Sequence, residues 1–306
     1  MSREATPTVP TLAAAGVAVV RGDAPWPSGS IAGGSEAGWQ GTLEPVGVGG
    51  VLDGGFDLLR RYFGLLVGLA AALLLPLQLA DLWASVAAGR PAELDTAPFL
   101  AAFGAMDSTM PATWLVVAAR LVVLSFLGLT TGLLVSDALA HRAQSTRSVL
   151  AAAGRRWWVA LLIPLLCIPV KVVASCLLYV GFFMGDAVLM CTSVVAGAEG
   201  AGPFRSFGRS FSLGFRSFGT ALGVAIGSFV ISAVLQVSLY AGPAMLASLF
   251  VSSELVLLAV QQISMLSLLV TQPLTAAIAA RAYVEFRCRS EALDLAVRRS
   301  ELGLVT

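Results

Sequence analysis

The sequence predicts an all-α integral membrane protein. It is expected to be a helical bundle of about six transmembrane helices, with short amphipathic interfacial helices preceding the odd-numbered spans. Three observations predict it. Of the 306 residues, 57% are hydrophobic and 12% charged, about half the charged share of a soluble domain, and mean hydropathy is +0.86. The apolar residues fall in long runs, and a spanning helix needs roughly 20 of them because lipid offers a backbone no hydrogen-bond partner. The basic residues are concentrated in alternate polar stretches.

Residues 1–45 are rich in Gly, Pro, Ala, Ser and Thr without periodicity and are expected to be a disordered cytoplasmic tail. Leu12–Val20 resembles a short signal-peptide core but lacks a strong basic start and is too short to span. The membrane domain is expected over 46–288, with a cytoplasmic C-terminal tail over 289–306. It opens on an amphipathic helix at about 47–61. Val48, Val51, Leu52, Phe56 and Leu59 take one face of it, and Asp53, Asp57 and Arg60 the other.

The first span follows at about 63–83, then a polar loop at 84–111, then a second span at about 112–138 that carries Arg120. A basic loop with Arg142, Arg147, Arg155 and Arg156 leads into a nearly unbroken apolar run, 157–196. Two spans fit there, with the turn expected at Pro169 and Lys171; the second carries Asp186. A basic stretch, 203–217, enters a fifth span at about 218–240, which Gly242 and Pro243 are expected to break. The last apolar segment, about 250–284, is long enough to tilt or to project from the bilayer.

Orientation follows from charge. Sixteen of the 19 basic residues lie before the first span, in the second and fourth loops, or in the C-terminal segment from Arg281 onward. Cytoplasmic loops carry the excess of Lys and Arg, so both termini are expected in the cytoplasm. Arg bias together with abundant Ala, Gly, Leu and Val suggests a bacterium, hence its inner (plasma) membrane.

Three segments share one layout, a basic stretch running into a span: Arg61-Tyr62-Phe63-Gly64, Arg156-Trp157-Trp158-Val159 and Arg216-Ser217-Phe218-Gly219. The simplest description is three units, each an interfacial helix plus a helical hairpin. In the third, Phe204, Phe207, Phe211, Phe215 and Phe218 recur at helical spacing, and Arg205, Arg209, Ser212 and Arg216 recur about 100° round the helix. Phe rings at the acyl boundary with Arg level with phosphates would hold such a helix in the membrane plane. Arg205, Arg209, Arg216, Phe207, Phe211 and Phe215 therefore form a candidate lipid or partner interface. A purely structural elbow is the alternative.

Glycines four apart (Gly64 and Gly68, Gly128 and Gly132, Gly181 and Gly185, and Gly219, Gly223 and Gly227) predict close helix packing. Arg120 and Asp186 are the ionisable residues deepest in the apolar runs and make a candidate intramembrane polar site. They are expected to pair or to share a polar cavity with Gln236, Gln261 or Gln272.

The chemistry of an enzyme is missing from the sequence. It has no GxSxG, Walker loop, CxxC or HExxH, and His141 is the single histidine. Cys167, Cys176, Cys191 and Cys288 have no metal or disulfide spacing and are expected as small core residues. Neither catalytic residues nor a metal or cofactor is expected. A net charge of +1 gives no reason to expect nucleic acid. Membrane lipids, anionic ones included, and other membrane proteins are the expected partners.

Val48 to Phe56 followed by Leu59 to Gly64, Glu199-Gly200 followed by Arg209 to Leu213, and Tyr283 to Leu295 together resemble a bacterial multi-pass membrane-protein family. That family is related to the membrane domain attached to some glycerophosphoryl diester phosphodiesterases. The resemblance covers about residues 46–296. It implies a six-span helical fold with no established activity; Pro76 in the first span also fits the family's habit. The phosphodiesterase domain is missing from this chain, since no polar stretch could hold a barrel of about 250 residues. Three functions follow as expectations: a scaffold or lipid-binding membrane component, a transporter or permease component, and an accessory subunit in phospholipid-diester metabolism.

Overall fold

The structure, a computed structural model, describes residues 46–87, 111–139, 145–175, 178–250, 253, 256 and 265–292. The expected tail over 1–45 lies outside the described residues, as does the C-terminal tail beyond 292.

The described residues are almost all helical, and no strand occurs among them. Among the described residues, five stretches are long and apolar enough to cross a membrane: Phe63–Ala80, Ala118–Leu139, Trp157–Ala174, Val180–Ala198 and Phe218–Leu239. The expected sixth span is described only in part.

The elements fall into three units. The first holds α1 (Val48–Arg61), α2 (Phe63–Ala87) and α3 (Pro111–Leu139). The second holds α4 (Thr146–Arg155), α5 (Trp157–Ser175), α6 (Leu178–Leu189) and α7 (Thr192–Ala198). The third holds α8 (Pro203–Arg216), α9 (Phe218–Gln236), a π turn (Val237–Ala241), α10 (Gly242–Phe250) and α11 (Leu268–Glu291).

Each unit opens on the same device. A short helix stops at a single residue and a long apolar helix starts at the next. The hinge is Tyr62 (φ −108°, ψ 25°), Arg156 (φ −111°, ψ 18°) and Ser217 (φ −113°, ψ 33°). All three lie near the bridge region, which lets a chain turn without loop residues. Tyr62 and Ser217 donate their N–H to Leu58 O and Leu213 O, at 3.1 and 3.2 Å. The structure corrects the sequence alignment of the middle unit by one residue. Arg155-Arg156-Trp157 is the equivalent of Arg61-Tyr62-Phe63 and Arg216-Ser217-Phe218, because the hinge is Arg156 itself.

The packing is cyclic. Each opening helix lies on the last helix of the unit before it: α4 on α3, α8 on α6 and α7, and α1 on α11. Each long first helix packs on the last helix of its own unit and on that of the preceding one: α2 on α3 and α11, α5 on α6 and α3, α9 on α11 and α6. The first helices are peripheral. In α2, α5 and α9, 22%, 28% and 22% of the spanning window is buried, against 56% and 61% in α3 and in α6 with α7. Their exposed Leu, Val, Ile and Trp side chains are what a bilayer covers.

Glycine sets the closest contacts. A Cβ at Gly132 would overlap the Val194 carbonyl, and one at Gly197 the Leu129 carbonyl, so α3 and α7 meet backbone on backbone. Gly55 brings α1 onto α11, where a Cβ would lie 2.9 Å from Ile278 Cα. Gly223 and Gly227 receive Val48 and Leu52 of α1. Gly64, Gly68 and Gly219 meet nothing, so their expected packing role is not seen.

Two expected breaks are continuous helix. α5 runs through Pro164 and Pro169 to Ser175, so the turn comes after Lys171 and not at it. A membrane helix tolerates proline when neighbours satisfy the freed carbonyls. At Gly242-Pro243 the chain widens into a π turn, with Gly242 N–H bonded to Val237 O, and then continues as α10. Pro243 has no N–H to donate, and a wider turn absorbs the defect.

Candidate functional site

α8 starts at Pro203, whose missing N–H costs nothing at a helix start. It has three faces rather than two. Pro203, Ser206, Ser210, Leu213 and Gly214 are buried against the protein. Ser210 Oγ donates to Val188 O at 2.9 Å, and a Cβ at Gly214 would lie 2.7 Å from Val188 Cα. Small residues and hydroxyls make this the protein-facing side. Phe204, Phe211 and Phe215 are exposed on a second side, with Phe211 and Phe215 stacked at 5.9 Å and Phe207 half-buried.

The arginines divide. Arg205 and Arg216 are exposed on the third side. Arg209 instead closes a ring of polar contacts. Its Nε donates to Glu199 Oε1 at 3.1 Å and its Nη2 pairs with Glu291. Arg287 pairs with Glu291 Oε2 at 3.0 Å and donates to Tyr283 Oη at 3.2 Å. Tyr283 Oη donates to Glu199 Oε1 at 3.1 Å. Burial works against the Arg209 charge, but the Glu199 hydrogen bond and the attraction of Glu199 and Glu291 outweigh it, and its pKa stands above the ordinary value. The ring ties the end of α7, α8 and α11 together. Arg209 is therefore a structural tie and is corrected out of the candidate interface.

Arg156 is structural too. It donates to Ala196 O at 2.8 Å and to Gly200 O. Gly200 ends α7 at φ 64°, a left-handed conformation that suits glycine.

The expected pairing of Arg120 with Asp186 is not seen. Asp186 on α6 pairs with Lys171 on α5 at 2.6 Å. Arg120 on α3 donates to Gln78 Oε1 on α2 at 3.4 Å. Both of these contacts join the two long helices of one unit. Gln236 joins a third small network, to Thr271 Oγ1 at 3.3 Å and Ser267 Oγ at 3.4 Å. Gln261 lies outside the described residues.

Sequence reasoning missed Gln78, Lys171, Glu199 and Glu285. Lys171 carried a signal, a lone lysine fifteen positions from Asp186 in an unbroken apolar run. Glu285 stands four residues before Arg289 on one helix, a spacing that signals a pair; Glu199 carried no signal, since only the fold turns it toward Arg209.

No cluster of His, Cys, Asp and Glu that could hold a metal ion occurs among the described residues. Fold and site define a class: a helical membrane protein whose paired helices hinge on short interfacial helices. No family model, curated protein or solved structure matches the chain.

Proposed function

We propose that the protein is a non-enzymatic component of a bacterial inner membrane. It scaffolds that membrane by binding anionic lipids and partner membrane proteins through the α8 surface, with its elbows on the cytoplasmic side. The single observation that carries this is the division of α8 into a buried Ser/Gly face, an exposed Phe face and an exposed Arg205/Arg216 face. A helix that needed only to orient the next span would have no use for the last two together. Phe rings favour the acyl boundary and arginines the phosphate level above it.

The test is charge reversal. Arg205→Glu with Arg216→Glu should abolish association of the purified protein with anionic vesicles and with any co-purifying membrane protein. Full association by the variant overturns the reading.

The transport reading loses support from the same geometry. The polar pairs Arg120–Gln78 and Lys171–Asp186 sit on separate helix pairs. α3 and α7 touch through glycines with no space for a Cβ.

A further inference from the structure

We propose that the three elbows are three quasi-equivalent seats for anionic phospholipid headgroups, with Arg61, Arg155 and Arg216 as phosphate donors. The proposal rests on the lipid-binding part of the reading above and extends it from one helix to three positions.

Each of these arginines is the last residue of its short helix, directly before the hinge. Each is exposed. None has an ion pair or side-chain hydrogen bond among the described residues; Arg61 only stacks on Tyr62, at 5.8 Å. Guanidinium donors at such a position stay available for a phosphate. Arg156 and Arg209 stand nearby in sequence but hold carbonyls and carboxylates of the protein. The chain thus separates arginines that build the fold from arginines that face outward.

The residue directly after each hinge is aromatic. Phe63 is 52% exposed and Trp157 61% exposed, and Phe218 is half-buried beside Phe215, at 6.3 Å between ring centroids. Because the hinge dihedrals repeat, the backbone places the Arg and the aromatic alike at each elbow. An anion site that borders directly on an exposed apolar span fits a ligand carrying phosphate and acyl chain in one molecule. That is a phospholipid; a phosphorylated protein or a free phosphate would leave the aromatic face bare.

The seats differ in strength. α4 and α8 carry no acidic residue, whereas α1 carries Asp53 and Asp57 on its exposed side, which weakens the local attraction for an anion. The Arg61 seat is the weakest of the three.

The experiment is native mass spectrometry of the full chain released from phosphatidylcholine nanodiscs containing phosphatidylglycerol. Three phosphatidylglycerol molecules should be retained. Arg155→Gln and Arg216→Gln should each remove one, with about fivefold weaker retention at that seat, from about 1 kcal/mol per arginine near the surface. Arg61→Gln should remove the first molecule lost on activation. Arg155→Lys and Arg216→Lys should keep most retention, which guards against misfolding of the Gln forms. Arg209→Gln, which breaks a structural tie, should keep all three. Loss of one lipid with Arg216→Gln alone, and no effect at the other two positions, would overturn the three-seat inference while leaving the α8 reading intact. Equal retention of phosphatidylcholine and phosphatidylglycerol would overturn the lipid-binding reading and the inference together.

Discussion

The backbone N–H of Val46 donates to Glu285 Oε2 across 3.0 Å, joining the start of the described chain to its last helix. Arg289 completes the clamp by donating to the Val46 carbonyl at 2.9 Å and pairing with Glu285 Oε1 at 2.6 Å. Glu285 is fully buried. The clamp fixes where α1 begins and closes the cyclic packing of the three units at the point where the chain itself is open.

Glu285→Ala should therefore destabilise the protein by roughly 1–3 kcal/mol, because it leaves a buried N–H and an arginine without their acceptor. Thermal unfolding in detergent measures the loss. Limited proteolysis should show faster cleavage ahead of α1; an unchanged cleavage rate would show that α1 is held without the clamp.

The ring through Glu199 and Arg209 should behave as one unit. Glu199→Gln, Arg209→Gln and the double variant form a cycle whose coupling is expected at about 0.5–3 kcal/mol. A coupling near zero would mean that α8 is docked by Ser210, Leu213 and Gly214 alone.

Glycines on buried and open faces should respond in opposite ways. Gly197→Ala forces a methyl into the Leu129 carbonyl and should cost on the order of 3 kcal/mol or prevent folding. Gly64→Ala meets empty space and should be neutral or gain about 0.5–1 kcal/mol from helix propensity. Unfolding temperatures and folded yield of the two variants decide it.

Asp186→Leu should strand the Lys171 ammonium between α5 and α6 and cost roughly 1–3 kcal/mol. Lys171→Leu combined with Asp186→Leu should recover most of the loss, since an apolar pair often replaces an ion pair without penalty. If the double variant is as unstable as the single one, the pair has a role beyond neutralising each partner.

Much of the fold was legible along the chain. Hydropathy located the long helices, since a bilayer demands the same apolar length of each. Helical spacing located α1 and α8, and the Arg-then-aromatic pattern exposed the threefold repeat. Where expectation failed, the missing information was spatial. Pro169 and Gly242-Pro243 look like breaks in one dimension, yet α5 runs on to Ser175 and a π turn carries the chain into α10. The docking face of α8 had no reading in the sequence: Ser206, Ser210 and Gly214 dock because only small side chains let the helix approach Val188.

The sequence by itself determined that this is an all-α membrane protein of paired spans with basic, aromatic entry points, because burial in lipid acts on composition and period, which are local properties. The tertiary structure alone decided which polar groups meet between helices. Arg209 faces Glu199 and Glu291, Asp186 faces Lys171, and Glu285 accepts from the Val46 N–H, because such contacts depend on distances between helices that the order of residues does not contain. That same step left Arg61, Arg155 and Arg216 facing outward.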